Sequence, residues 1–267
     1  MCDSPRGLSL TIQAQPETIF NDLYQQVCAA VKDRNTNEIR LKIWDRDADK
    51  LLRASRGAAL EVKAHLAAIR GNDQECDRLY VAALSATGDY TGAALRYLTL
   101  LAMRLRQEKL LEVYRDVGTA FKGNPQATRI VEGLLAGEGF IVSAVKLAKE
   151  LSKMGSFSAS VPSAESERAT QLIDTDGYDD ADFGAPVAFA KRYLASQNIK
   201  QQGVCLMPSA SDENGSTYFF QIRTDQSPED AVRTEMGLFE ALEGQSFPLE
   251  TQGKIVLSLI GTRAVLD

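Results

Sequence analysis

Five carboxylates fall within nine residues, Asp174, Asp176, Asp179, Asp180 and Asp182, and clustered oxygens are what hard cations such as Ca²⁺ and Mg²⁺ take as ligands. With Asp174 as the first ligand of a calcium-hand loop, however, the sixth position is Asp179 where Gly is needed and the twelfth is Ala185 where Glu is needed. The competing chemistry is electrostatic: carboxylates in a loop just ahead of a helix complement the positive end of its dipole, and Pro186 suits the first turn of such a helix. Other catalytic constellations lack their residues. His65 is the single histidine, and Cys2, Cys28, Cys76 and Cys205 lie far apart, so the usual zinc sites have no ligand set within one chain. There is no Gly-x-Ser-x-Gly elbow for a triad, no Gly-x-x-x-x-Gly-Lys loop, and Gly137-Glu138-Gly139 lacks the third glycine of a dinucleotide loop. No cofactor and no catalytic residue is expected. Whether the acidic cluster takes a metal stays open at this point.

The elements that must hold these residues change character along the chain. No proline occurs between Pro16 and Pro125, whereas the last third carries Pro162, Pro186, Pro208, Pro228 and Pro248. A long proline-free stretch permits uninterrupted helices, and apolar residues recur there at helical spacing: Ile19, Leu23, Val27 and Val31; Ile39, Ile43 and Leu51; Leu79 with Val81 to Leu84; Leu110, Val113, Tyr114, Val117 and Phe121. Turn residues at Gly71-Asn72, Gly88-Asp89 and Gly123-Asn124-Pro125 punctuate them. The spacing predicts helices over 17–33, 37–54, 57–70, 74–87, 91–106, 108–122, 125–136 and 138–153, about four antiparallel pairs with those stripes turned inward.

A period of 34 residues runs through this half. Ala59, Ala93 and Ala127 keep it, as do Leu66, Leu100 and Leu134, and Tyr80 and Tyr114; Tyr97 and Val131 match in size class. The stretch Gly88-Asp89-Tyr90-x-x-Ala93-x-x-x-Tyr97 resembles the turn and second-helix start of the tetratricopeptide repeat, whose length is 34. The resemblance covers about 57–139 and implies paired helices packed closely through small residues, with a groove for a partner. It departs from the family at Tyr80-Val81 and Tyr114-Arg115, where a Leu-Gly pair is expected, and in lacking the late proline.

Gly155 to Ser163 is Ser-rich and uncharged, which predicts a linker. Charge divides at the same place: 22 Lys and Arg against 19 Asp and Glu through Gly155, then 8 against 17. The expected organisation is a helical repeat or bundle domain over 1–155, a linker over 156–166 and a small acidic α+β domain over 167–267. That domain reads α-β-β-α-β: a helix over 185–198, strands at Val204–Met207 and Thr217–Arg223 joined by a polar turn, a helix opened by Ser227-Pro228-Glu229-Asp230, and a strand over Lys254–Ile260. The apolar stripe of the second helix, Val232, Met236, Phe239 and Leu242, is expected to face the sheet.

Met1–Gln15 carries one Arg and no apolar leader-like run, and no charge-free stretch approaches membrane-helix length, so a cytoplasmic protein with no membrane association is expected. By exclusion of chemistry, the favoured function is a protein-interaction adaptor that holds a partner protein through the helical groove and the acidic second half. A basic partner suits that charge, and an immunity or antitoxin protein covering a basic toxin site is one form of the idea. The expected contact residues are Asp174, Asp176, Asp179, Asp180 and Asp182, with Tyr80, Tyr97 and Tyr114. Two alternatives remain: a metal-dependent enzyme using Asp174–Asp182, and a nucleic-acid binder using Arg96, Arg104, Arg106, Lys109, Arg115, Lys122 and Arg129. Interleaved Glu108, Glu112, Asp116 and Glu132 weigh against the latter.

Overall fold

Asn37, Asn72 and Asn124 each open a helix in the same way, their side-chain oxygens accepting backbone N–H groups from Ile39 and Arg40, from Glu75 and from Ala127. The helices of the first part are α1 (Pro16–Lys32), α2 (Glu38–Leu51), α3 (Arg56–Ile69), α4 (Asp73–Ala86), α5 (Tyr90–Met103), α6 (Gln107–Val117), α7 (Pro125–Gly137) and α8 (Ile141–Lys153), with a 3₁₀ turn over Gly118–Phe121. The computed structural model describes residues 16–33, 37–156, 179–211, 215–245, 247 and 255–262, leaving aside the side chains of 16–17 and 205–218. Two compact units form, Met1–Ala93 and Ala94–Asp267. The expected linker, apart from Ser156, lies outside the described residues, and the second unit contains residues from both sides of it.

The 34-residue period survives as a repeat of element boundaries. Helices α3 and α5 start at Arg56 and Tyr90, and α4, α6 and α8 at Asp73, Gln107 and Ile141, each 34 residues after the last. Ala59, Ala93 and Ala127 are all buried. This is a helical repeat-like fold. In the first unit α3 packs against α1, α2 and α4. Its start comes so close to the end of α4 that a Cβ on Gly57 would stand 2.9 Å from the Thr87 Cα, which is why the smallest residue is needed there.

Leu23, Val27 and Val31 of α1 and Leu110, Val113, Val117 and Phe121 are buried as their stripes predict, but members of other stripes turn outward. In α2 the buried residues are Leu41, Trp44, Ala48 and Leu51, which leaves Ile39 at 73% and Ile43 at 43% exposure. In α4 they are Cys76, Leu79, Tyr80 and Ala83, so Val81 is exposed; Ile19 of α1 is exposed too. A helix with apolar residues on both sides of its core-facing line can bury only the set that meets a neighbour.

After the helical array come α9 (Asp180–Ser196), β1 (Gln201–Ser211), β2 (Gly215–Thr224), α10 (Pro228–Glu243) and β3 (Ile255–Gly261), the expected α-β-β-α-β order. The architecture is mainly α with a small α+β part. The sheet order is β1-β2-β3, with β1 antiparallel and β3 parallel to β2. Pairing carries β1 well past the expected Val204–Met207, and Pro208 is tolerated because β1 is an edge strand among the described residues. Phe220 and Ile222 of β2 and Ile255, Leu257 and Leu259 of β3 share the buried face.

Two details of these helices differ from expectation. Helix α9 begins at Asp180, not 185, because Asp179 forms a capping box with Asp182 a turn earlier than proline alone suggested, and Pro186 therefore lies inside the helix. Helix α10 lies against β3 through Ala231, Leu238 and Leu242, while Val232, Met236 and Phe239 are 57%, 62% and 41% exposed. The chosen face is fixed at two points. The Glu235 carboxylate accepts the Leu259 N–H at 3.1 Å, and Gly237 admits the Tyr193 hydroxyl, which a Cβ there would meet at 2.6 Å.

Candidate protein-interaction site

The acidic cluster is largely taken up by local structure. Asp179 accepts the N–H groups of Ala181 and Asp182, and Asp182 accepts the Asp179 N–H at 2.9 Å, so both satisfy the first turn of α9. Asp180 is buried and accepts both the N–H (3.1 Å) and the hydroxyl (2.6 Å) of Ser143, tying α9 to α8. Asp174 and Asp176 lie outside the described residues. Among the described residues no three His, Cys, Asp or Glu side chains gather in a way that could hold a metal ion.

The three tyrosines part company. Tyr80 is fully buried and Tyr97 is 1% exposed, so core packing leaves neither ring a surface to offer a partner. Tyr80 instead joins an aromatic group in the first unit: His65 stands edge-on to Tyr24 at 4.9 Å and tilted to Tyr80 at 5.6 Å, and its Nδ1 is 2.9 Å from the Glu61 carbonyl oxygen. The buried His65 is thus a bonded core residue. Tyr114 is half-buried, and its phenol is pushed up to about 12 by burial first and then by the charges of Glu150 and Asp180. The structure therefore brings Tyr114 and Asp180 into one neighbourhood of the second unit, while Tyr80 belongs to the first unit.

A second polar group in that unit is more deeply buried. Lys191 of α9 reaches Glu138, just after α7, at 2.7 Å, with both side chains 7% exposed. The Gln107 amide donates to the other Glu138 oxygen at 3.1 Å, and the Gln201 amide donates to the Lys191 carbonyl. The Gln107 oxygen has no hydrogen-bond partner among the described residues. Close packing surrounds the pair, since a Cβ on Gly184 would sit 2.7 Å from the Phe140 ring. This arrangement can hold helices together; it exposes nothing to a substrate. Of the basic residues considered for nucleic acid, Lys109 is ion-paired to Glu112 on its own helix at 2.6 Å and the Arg104 Nε is buried, whereas Arg115, Lys122 and Arg129 are exposed.

A groove of mixed polar and apolar lining is accessible on the first unit. Gln26, Ala29, Ala30 and Asp33 of α1 and its end face Arg40, Ile43 and Trp44 of α2 across a groove of about 480 Å³. Its floor is fixed because the Trp44 indole N–H donates to the Gln26 side-chain oxygen at 3.2 Å, holding the ring at 8% exposure. Ile39 stands out one turn before Ile43 at the same edge of α2, and Asp33 and Arg40 put one charge of each sign at the rim. Ala29, Ala30, Ile43 and Trp44 supply the groove's apolar lining, and Gln26, Asp33 and Arg40 supply a polar lining of similar extent. The periodicity of α2 carried a signal for it that the stripe reading missed: Leu41, Trp44, Ala48 and Leu51 already complete one helical face, so Ile39 and Ile43 are surplus to it.

No protein-family model matches the chain, and no curated protein or solved structure matches it. Among the described residues no helix is long and apolar enough to cross a membrane.

Proposed function

We propose that this chain is a protein-interaction adaptor that takes an apolar segment of a partner protein into the α1–α2 groove. The carrying observation is Ile39, a large aliphatic side chain 73% exposed one helical turn before Ile43, which lines the groove with Trp44. Contiguous exposed apolar surface rimmed by polar groups marks contact sites, and burying Ile39 on binding contributes about 1–2 kcal/mol, with less from Ile43, which is already more than half buried. The repeat-like pairing of helices supports the same reading, because stacked helix pairs present grooves of this kind. The carboxylate surplus from Ser156 onward, 17 against 8, favours a partner with basic surface and acts on its association rate. A toxin neutralised by this chain is one partner of that description.

The test is a photo-crosslinking amino acid placed at Ile39, with exposed Lys122 as the control position. A discrete partner crosslinked from 39, absent from 122 and lost on adding Ile43→Asp, supports the groove. Equal labelling from both positions, or labelling indifferent to Ile43→Asp, contradicts it.

A further inference from the structure

The apolar surface of α10 is wider than the sheet it covers. Ala231, Leu238 and Leu242 are spent on the core, and Val232, Met236 and Phe239 form a second ridge at i, i+4 and i+7 that stays exposed. Substantial apolar side chains in an unbroken row along an outer helix face are costly to leave in water, and such ridges are bound by a complementary helix. The identity of that helix follows from charge. Glu229, Glu240 and Glu243 are exposed along the side of α10 that carries the ridge, and the nearby Arg233 is held by Asp230 at 3.2 Å.

A second copy of this chain seated ridge to ridge would bring those carboxylates together, which like-charge repulsion opposes. An anionic membrane is opposed for the same reason, since interfacial helices carry Lys and Arg beside their apolar face. We infer that the ridge Val232, Met236 and Phe239 with its Glu229, Glu240 and Glu243 flank docks a basic amphipathic helix of a partner protein. The inference rests on the adaptor reading and supplies it with a second contact and the partner's chemistry: apolar residues at i, i+4 and i+7 with Lys or Arg beside them. Methionine at the centre of the ridge suits this, because its unbranched side chain adapts to the shape laid on it.

The probe is a synthetic amphipathic Leu/Lys helix, with a Leu/Glu helix of the same pattern as control, titrated by fluorescence anisotropy against the full chain. Specific docking predicts binding of the Leu/Lys helix, none of the Leu/Glu helix, and loss of about tenfold or more in affinity for Val232→Ser/Met236→Ser/Phe239→Ser. It also predicts weakening by salt through the association rate. Circular dichroism confirms that the triple variant is folded, and Met236→Ser alone serves if it is not. Equal affinity for the wild type and the variant reduces the effect to unspecific charge and overturns the inference, as does absence of binding. A dimer in sedimentation that the triple variant abolishes assigns the ridge to a second copy. Binding to phosphatidylserine vesicles that the variant abolishes assigns it to membranes, and either result overturns the inference too. Crosslinking from Ile39 is independent of this ridge, so a failed peptide titration with an intact Ile39 crosslink removes the inference and leaves the groove standing.

Discussion

Lys191→Met isolates the buried contact that joins α9 to the helical array. The ion pair with Glu138 is 2.7 Å long, both side chains are 7% exposed, and the remaining Glu138 oxygen is bonded to Gln107. Removing the ammonium leaves a carboxylate in a site that water barely reaches, and such losses cost about 3–5 kcal/mol. With a urea m-value of about 2 kcal/mol/M, the unfolding midpoint falls by about 1.5–2.5 M. The double variant Glu138→Gln/Lys191→Met removes both charges yet keeps an acceptor for Gln107, so it regains most of that loss. Far-UV circular dichroism follows the unfolding of the whole chain. The single tryptophan, Trp44, lies in the first unit and reads its unfolding. A Lys191→Met midpoint within about 0.3 M of wild type, or a double variant no better than the single, would refute the claim that burial makes this pair interdependent.

Ala93→Phe and Ala127→Phe fill sites that are 0% and 3% exposed, and each is expected to cost about 1–3 kcal/mol through overpacking; unchanged melting temperatures in both contradict close packing at the repeat positions. Gly261→Ala places a Cβ against the Ser227 carbonyl and 2.8 Å from the Gln226 oxygen, backbone atoms that open α10. It therefore lowers thermal stability by a comparable amount, while Gly88→Ala, where a Cβ meets nothing within 4 Å, has little effect. Tyr114 binds its proton more tightly in the folded chain, at about 12 against 10. Its contribution is complete below pH 10 and is lost as pH rises from 10 to 12. Lys63, with burial opposing its charge but bonds to Asp49 and Asp45 raising it overall, adds a loss of the same sign above its ordinary 10.5. Tyr114→Phe is accordingly less sensitive than wild type over pH 10–12 in chemical denaturation, and an identical pH slope contradicts the burial of the phenol.

Helix positions were legible because short polar punctuation fixes them: Asn72 and Asn124 each cap a helix, and the 34-residue period reappears in the starts of α4, α6 and α8. The α-β-β-α-β order was legible for the same reason, with Ser227-Pro228 opening α10. Which face a helix buries was legible in α1 and α6, where Leu23, Val27 and Val31 and Leu110, Val113 and Val117 are buried, but not in α2 or α10. Val232, Met236 and Phe239 satisfy helical periodicity as well as Ala231, Leu238 and Leu242 do, and the choice between them is made by Glu235 bonding Leu259 and by Gly237 meeting Tyr193. Those contacts are tertiary and leave no periodic trace. The candidate site suffered from the same blindness. Tyr80 and Tyr97 were expected at a contact surface and are core, whereas Ile39 and Ile43 were expected inside and are exposed, with Ile43 lining the groove. For the acidic run, the sequence suggested charge complementing a helix start, but which donors take the carboxylates, at the N-cap or at Ser143, only the backbone path reveals.

Photo-crosslinking from Ile39 in the full chain, compared with Lys122 and read with and without Ile43→Asp, tests the interaction account most directly. The account predicts one discrete partner from position 39, none from 122, and loss of the product when the groove edge becomes acidic. A product that forms equally from both positions or survives Ile43→Asp would contradict it.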